Sequence, residues 1–397
     1  MFTYKSILTI LFFTFFLYTN HFDWNIYFIN TLFAVMGLVS LFYLSKKELF
    51  FSGFFISVLW FWWIGYSFVY YDLTFLIPVI IISIGCLYGV LFYIIGLTQN
   101  ILFKMVLIFG LSFINPFGFN WFKFELPLVN SYFGSSKIEF LILLFTIALF
   151  LIYKHRYQKQ SIFAISVVFL SLYSFNNFAK TKMKIPDLNI VEHQTNIDQD
   201  KKWNKIYTKK IVEDNILAIK NAIEQKQDLI ILPETAFPLV LNRTENLKVL
   251  LLTLSKEISI VTGSLYAKNG LYYNSTYYFE NGDMEVAHKV VLVPFGEAVP
   301  MPEKIRNLIN DIFYNGAQDY ETAKEPTSFN IKGTKFRNAI CYEATTDAIY
   351  KNLDTPYVIV TSNNAWFTPS IQPTLQKLLL KYYRNKYNLY HFNVSNY

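Results

Sequence analysis

The first 178 residues of this 397-residue chain are strongly apolar, in runs whose length matches a lipid bilayer better than a globular core. A helix needs about 20 consecutive apolar residues to cross hydrocarbon. Seven stretches reach or approach that length: 6–20, 24–44, 49–71, 73–97, 101–121, 138–153 and 161–178, the first and sixth being the shortest. A cleaved signal peptide is the alternative for the first. The run Phe16-Leu-Tyr-Thr-Asn-His-Phe22 offers no small-residue cleavage site, however, and further spans come after it, so the stretch reads as an anchor.

The formal charge of +7 raises the question of nucleic acid, but the basic residues form no dense patch interleaved with aromatics, which excludes that partner class. Lys5, Lys46, Lys47, Lys154, Arg156 and Lys159 fall in loops that share one side of the membrane, whereas the opposite loops carry Lys123 and Lys137. This bias places the N-terminus in the cytoplasm. Seven crossings then put everything after Phe178 outside, so the expectation is a multi-pass membrane protein with its second domain on the outer face.

From Lys180 the text alternates strands and helices. Strands are predicted at 187–191, 229–232, 258–263, 336–340 and 357–361, with helices over 207–225 and 247–254 and a further helical stretch between the last two strands. A hairpin is predicted over 271–279 and 285–293 around Asn281-Gly282. This order predicts an α/β domain with a layered sheet core. The expected division is a transmembrane domain over 1–179 and a catalytic domain over 180–397. Between 301 and 330 the periodicity breaks down, and this segment, with Ile312-Phe-Tyr314 and Asp319-Tyr320, reads as a long loop of the kind that forms lids or entry arms.

Two cysteines are too few for a disulfide framework, and Cys86 lies inside the fourth apolar stretch. Cys341 is different. It ends the strand-like run Phe336-Arg-Asn-Ala-Ile-Cys-Tyr-Glu343, and a free thiol in an oxidising compartment needs a reason beyond packing. Leu229-Ile-Ile-Leu-Pro-Glu234 delivers a carboxylate at another strand end, and Lys289 precedes Val290-Val-Leu-Val-Pro-Phe-Gly-Glu297. Strand ends of an α/β sheet converge on a common crevice. There a carboxylate can take the thiol proton while an ammonium supports the thiolate and a later oxyanion. His193 and His288 lie near these motifs, and a Cys-His pair is the weaker reading. There is no Gly-rich phosphate loop and no clustered metal-ligand spacing, so neither a cofactor nor a metal is expected.

The order and spacing of Glu234, Lys289 and Cys341 resemble the nitrilase superfamily. Within it, the chain resembles the bacterial apolipoprotein N-acyltransferases. The matching text is Asp200-Lys-Lys-Trp203, Leu232-Pro-Glu-Thr-Ala-Phe-Pro238, Tyr273-Asn-Ser275, Lys289 with Leu292-Val-Pro-Phe-Gly-Glu-Ala-Val-Pro300, Ile340-Cys-Tyr-Glu343 and Ser362-Asn-Asn-Ala-Trp-Phe367. The resemblance implies a multi-span membrane domain followed by an α-β-β-α layered sandwich. It implies Glu234 as general base, Lys289 as oxyanion-stabilising cation and Cys341 as nucleophile. Glu297 then supports the lysine, Tyr342 and Glu343 flank the nucleophile, Asn274 belongs to the site, and Trp203 lies near its entry. The implied partners are a phospholipid acyl donor, diacylglyceryl-modified apolipoproteins and the membrane. Two rival readings remain at this point, a membrane-tethered amidase and an inactive membrane scaffold.

Asn364 stands where the family usually has aspartate, and Val290-Val291 replaces a more polar pair. The chain stops at Tyr397, so the family's last strands and final membrane helix are expected to be missing.

Overall fold

Apolar helices fill the N-terminal part of the chain, as its hydropathy requires. The computed structural model describes residues 3–157, 185–313 and 319–397. Two units emerge, one formed by Met1–Lys182 with Ser370–Lys386 and the other by Met183–Pro369 with Tyr387–Tyr397.

Among the described residues the first unit holds the helices α1 (Tyr4–His21), α2 (Tyr27–Tyr43), α3 (Lys46–Phe61), α4 (Ile77–Ile95), α5 (Ile101–Leu111) and α6 (Lys137–Tyr157), together with most of the later helix Gln372–Tyr387. Ser45 and Glu48 form a capping box that starts α3, which then tightens into a 3-10 segment at Trp62–Tyr71. α3 and α4 approach closely because Gly53 has no side chain: a Cβ there would lie 2.6 Å from the Cβ of Phe92. Small residues serve helix pairs in lipid in this way, because dispersion contact between backbones replaces a hydrophobic driving force. Among the described residues, Lys46–Tyr71 and Thr74–Ile95 are long and apolar enough to cross a membrane, while Tyr27–Tyr43 and Ile101–Leu111 are shorter apolar helices.

The fifth apolar stretch departs from expectation. Its helix ends at Leu111, because Asn115-Pro116 disfavours helical backbone, and the chain continues through short 3-10 turns at Pro116–Gly118 and Leu126–Leu128. Irregular backbone in an apolar unit needs internal partners. Here Glu125, fully buried, pairs with Lys137 at 2.7 Å and accepts a hydrogen bond from the Tyr382 hydroxyl at 3.0 Å. The seventh stretch, 161–178, lies outside the described residues.

The second unit holds two sheets. In the first, β1 (Ile190–Glu192), β2 (Leu229–Ile231) and β4 (Ser259–Lys268) run parallel, followed by antiparallel β5 (Leu271–Glu280) and β6 (Asp283–His288). β3 (Phe237–Val240) also pairs with β4. In the second, β10 (Tyr390–Asn396), β9 (Tyr357–Asn363) and β8 (Thr334–Ile340) are parallel, and β7 (Ser328–Ile331) is antiparallel to β8.

Strand alternation builds two cores from one sequence. Leu229, Ile231, Val261 and Tyr278 meet Phe329, Phe336, Ile359 and Val394 between the sheets. Ile230, Leu232, Ile260 and Tyr277 turn the other way, against Ile216 and Ile219 of the helix Lys205–Glu224 and Leu251 of the helix Glu245–Leu254. The result is a layered α/β sandwich. The predicted hairpin is present, with Asn281 and Gly282 both at positive φ in its turn.

Three parts differ from the sequence expectation. The segment read as a loop carries a helix, Glu303–Phe313, while residues 314–318 of it lie outside the described residues. In the sequence, Ile305, Leu308, Ile309 and Ile312 follow helical spacing, a signal that the surrounding aromatic and charged residues obscure. The last part of the predicted hairpin, 289–293, leaves the sheet after His288. Between β8 and β9 the chain makes a 3-10 turn at Cys341–Thr345 followed by irregular structure.

Candidate active site

Glu234, Lys289 and Cys341 all stand just beyond strand ends: Glu234 past β2, Lys289 immediately after β6 and Cys341 immediately after β8. Cys341 has φ +54, a left-handed backbone that a β-carbon resists at a cost of order 1 kcal/mol or more. Such strain turns the chain sharply off its strand and holds the thiol at the tip. Thr235, directly after Glu234, has φ +48, so the carboxylate also sits on a forced turn.

That second turn presses on β4. A Cβ added to Gly263 would lie 2.4 Å from the Thr235 nitrogen and 2.7 Å from the Glu234 Cα, both backbone atoms. Only glycine allows this approach.

Lys289 is fully buried. Its Nζ lies 2.7 Å from Glu297 Oε2, 2.9 Å from Glu297 Oε1 and 3.7 Å from Glu234 Oε1. Burial opposes the ammonium, yet the carboxylates of Glu297 and Glu234 outweigh it and hold Lys289 charged well above its ordinary value. Asn274, on β5, bridges the two acids: its Nδ2 donates to Glu234 Oε1 at 2.7 Å and to Glu297 Oε1 at 3.0 Å. The backbone N–H of Val293 donates to Glu297 Oε2 at 2.9 Å.

Glu343 joins the Cys341 turn to the segment after Lys289. It accepts from the backbone N–H groups of Ile340 at 2.7 Å, Val290 at 2.6 Å and Val291 at 3.1 Å. Burial pushes its carboxyl up to about 7, against the opposing pull of Lys289 and the three N–H donors. Cys341 is pushed up to about 12 by burial and then by the negative charge of Glu234, with Lys289 acting in the opposite direction. The resting thiol is therefore protonated at neutral pH, within the electrostatic reach of the Glu234 carboxylate. This arrangement supports nucleophilic acyl transfer with a carboxylate base and an ammonium beside the developing charge.

The sequence-predicted residues thus divide. Glu234, Lys289, Glu297 and Asn274 form one connected cluster, Cys341 lies within its electrostatic reach, and Glu343 braces it. Tyr342 is buried in the core, and Trp203 is 40% exposed after the short helix Gln199–Lys202. His288 stacks on Tyr273 with ring centroids 4.4 Å apart and shares a 2.8 Å hydrogen bond with Ser275. Sequence reasoning misses Lys202, because lysines in a charged run usually face water. It is fully buried and donates to the backbone oxygen of Glu234 at 3.0 Å.

Gly263→Ala is expected to force the Glu234 turn away from β4, destabilising the unit by about 1–3 kcal/mol. Activity should fall further than stability requires, since a displacement of about 1 Å in a reacting group can cost 10²-fold. Thermal unfolding and acyl-transfer rates on the same preparation check this. Wild-type values for both would show that the turn tolerates a β-carbon.

The family model for the apolipoprotein N-acyltransferase integral membrane domain matches residues 1–172. The apolipoprotein N-acyltransferase of Wolinella succinogenes is 39% identical over 386 residues, covering 97% of this chain and 91% of the relative. That of Campylobacter jejuni is 36% identical, over 93% and 81% of the two chains. Among solved structures, a CN-hydrolase superfamily protein from Xanthomonas campestris aligns with a TM-score of 0.41 at 17% identity, over 53% of this chain and 77% of the other. The chain belongs to the apolipoprotein N-acyltransferase family, and is a membrane-embedded acyltransferase.

Proposed function

We propose that this protein moves an acyl chain from a phospholipid to the amino group of the diacylglyceryl-cysteine that begins a lipoprotein, through a thioester on Cys341. The observation that carries the reading is the thiol at a strained strand end, beside a buried ammonium shared by two carboxylates. It occurs in a chain of a family named for N-acyl transfer to apolipoproteins.

In the first half-reaction Glu234 takes the thiol proton as Sγ attacks the ester carbonyl. The carbonyl oxygen becomes an oxyanion stabilised by Lys289. Collapse breaks the ester C–O bond, and the departing lysophospholipid alkoxide receives the proton from Glu234. In the second half the neutral amine attacks the thioester, Glu234 removes a proton from the nitrogen, and the C–S bond breaks. The thiolate then recovers its proton and an amide is left. Glu297 keeps Lys289 charged and aimed, Asn274 holds both carboxylates in register, and Glu343 fixes the Cys341 turn against the segment after Lys289. Tyr342 and Trp203 support the fold and the rim of the site.

A membrane unit suits these substrates. Extracting an acyl chain into water costs about 0.8 kcal/mol for each methylene, and an enzyme anchored in the bilayer avoids that step. The lysine and arginine bias supports a location in the bacterial inner membrane with the catalytic unit on the periplasmic side, where the lipidated cysteine of exported lipoproteins is presented.

Replacing Cys341 with Ala or Ser is expected to lower transfer to a diacylglyceryl-peptide by about three orders of magnitude or more, with the protein still inserted and folded. Glu234→Gln should block thioester formation itself. Full transfer by Cys341→Ala sinks the covalent route, and normal thioester formation by Glu234→Gln assigns the proton to another base.

Reporter fusions at Lys159 and after Tyr397 should score cytoplasmic and periplasmic respectively. A cytoplasmic score at Tyr397 overturns the orientation and, with it, access to the acceptor.

A further inference from the structure

A second lysine lies wholly inside the site, and the two half-reactions leave it without a role. Lys202 is fully buried at the end of the helix Gln199–Lys202, and its Nζ donates to the backbone oxygen of Glu234 at 3.0 Å. Among the described residues it forms no ion pair. A buried ammonium costs several kcal/mol unless neighbouring charge compensates it. The titratable groups that act on Lys202 are Glu234 and Cys341, both of which favour its charged form.

The helix is anchored for this purpose by a chain of buried amides. Asn396 Nδ2 donates to Asn363 Oδ1 at 2.8 Å, and Asn363 Nδ2 donates to Gln199 Oε1 at 2.9 Å. Asn363 also hydrogen-bonds Cys341 through its backbone. Lys202 and the nucleophile are therefore registered to the same residue at the end of β9.

Charge balance gives the lysine a task. Glu234 and Glu297, with Glu343 behind them, outnumber Lys289, and this excess of negative charge opposes both a thiolate at Cys341 and an oxyanion beside it. A second ammonium reduces that excess.

We propose that Lys202 is a positioning residue and second cation of the site, which holds the backbone of the Glu234 turn and supports the Cys341 thiolate electrostatically. This inference rests on Cys341 being the nucleophile. Burial pulls the Lys202 ammonium down to about 7, while Glu234 and Cys341 resist the loss of its charge. Its support is therefore present below neutrality and lost as pH rises through about 7. Lys289 stays charged across the same range, because Glu297 and Glu234 hold it well above its ordinary value.

The test is the rate at which a neutral haloacetamide alkylates Cys341, read on the Cys341 peptide by mass so that Cys86 does not contribute, in the full-length protein between pH 6 and pH 9. Lys202→Met should react roughly tenfold more slowly than wild type at pH 6 and converge with it by pH 9. Lys202→Arg, charged throughout, should match wild type within about threefold at pH 6 and exceed it at pH 9. A Met-to-wild-type ratio that stays constant with pH, whether at unity or below it, overturns the proposal, as does an Arg variant that tracks Met. If Lys202→Met does not fold, the Arg comparison at pH 9 still decides. Alkylation requires no phospholipid, so failure of the acyl-donor assignment and failure of the Lys202 role are distinguishable.

Discussion

Everything in the catalytic unit is arranged around one buried charge, the ammonium of Lys289. An ammonium removed from water costs several kcal/mol, and an incompletely paired one would dismantle the site. Its partners come from separate parts of the chain: Glu297 from the loop after the lysine itself, Glu234 from the turn after β2, and Asn274, which ties the two acids together, from β5. Residues far apart in sequence are thereby fixed to within a hydrogen bond of one another. Cys341 joins through Glu343, whose three backbone donors connect the turn around Cys341 to the segment after Lys289.

This arrangement keeps the thiol quiet at rest. Burial and the nearby Glu234 charge make the thiolate unfavourable, and in the proposed mechanism proton loss to Glu234 accompanies attack on a bound carbonyl. A thiol protected in this way does not react indiscriminately. The strained backbone at Cys341 and Thr235 shows where the fold is held away from its relaxed geometry, at the thiol and beside the Glu234 carboxylate.

Much of this is legible in the sequence, for identifiable reasons. Leu229-Ile-Ile-Leu232 reads as a strand buried on both faces, and its alternate residues do enter two different cores. Asn281-Gly282 names its own turn, and the acid, lysine and thiol each follow an apolar run that ends at the site. Other elements are masked by composition. Pro238 conceals β3, which tolerates a proline because it pairs only with β4. The helix Glu303–Phe313 hides among aromatic and charged residues, and the helix Gln372–Tyr387 does not stand out from its polar and aromatic surroundings. The fifth apolar stretch has the composition of a span, but Asn115-Pro116 interrupts it and buried polar partners hold the irregular segment beyond. Lys202 and Gly263 carry no local signal for their roles, because burial and close backbone approach exist only once the sheet has formed.

The central claim is that Cys341 carries the acyl group between donor and acceptor. The most direct measurement is the mass of the Cys341 peptide after the purified protein has been incubated with phospholipid and no acceptor. The account predicts an increase equal to one acyl chain, removed by hydroxylamine and by addition of a diacylglyceryl-peptide. An unmodified Cys341 peptide in a preparation that still transfers acyl chains to the acceptor would contradict it.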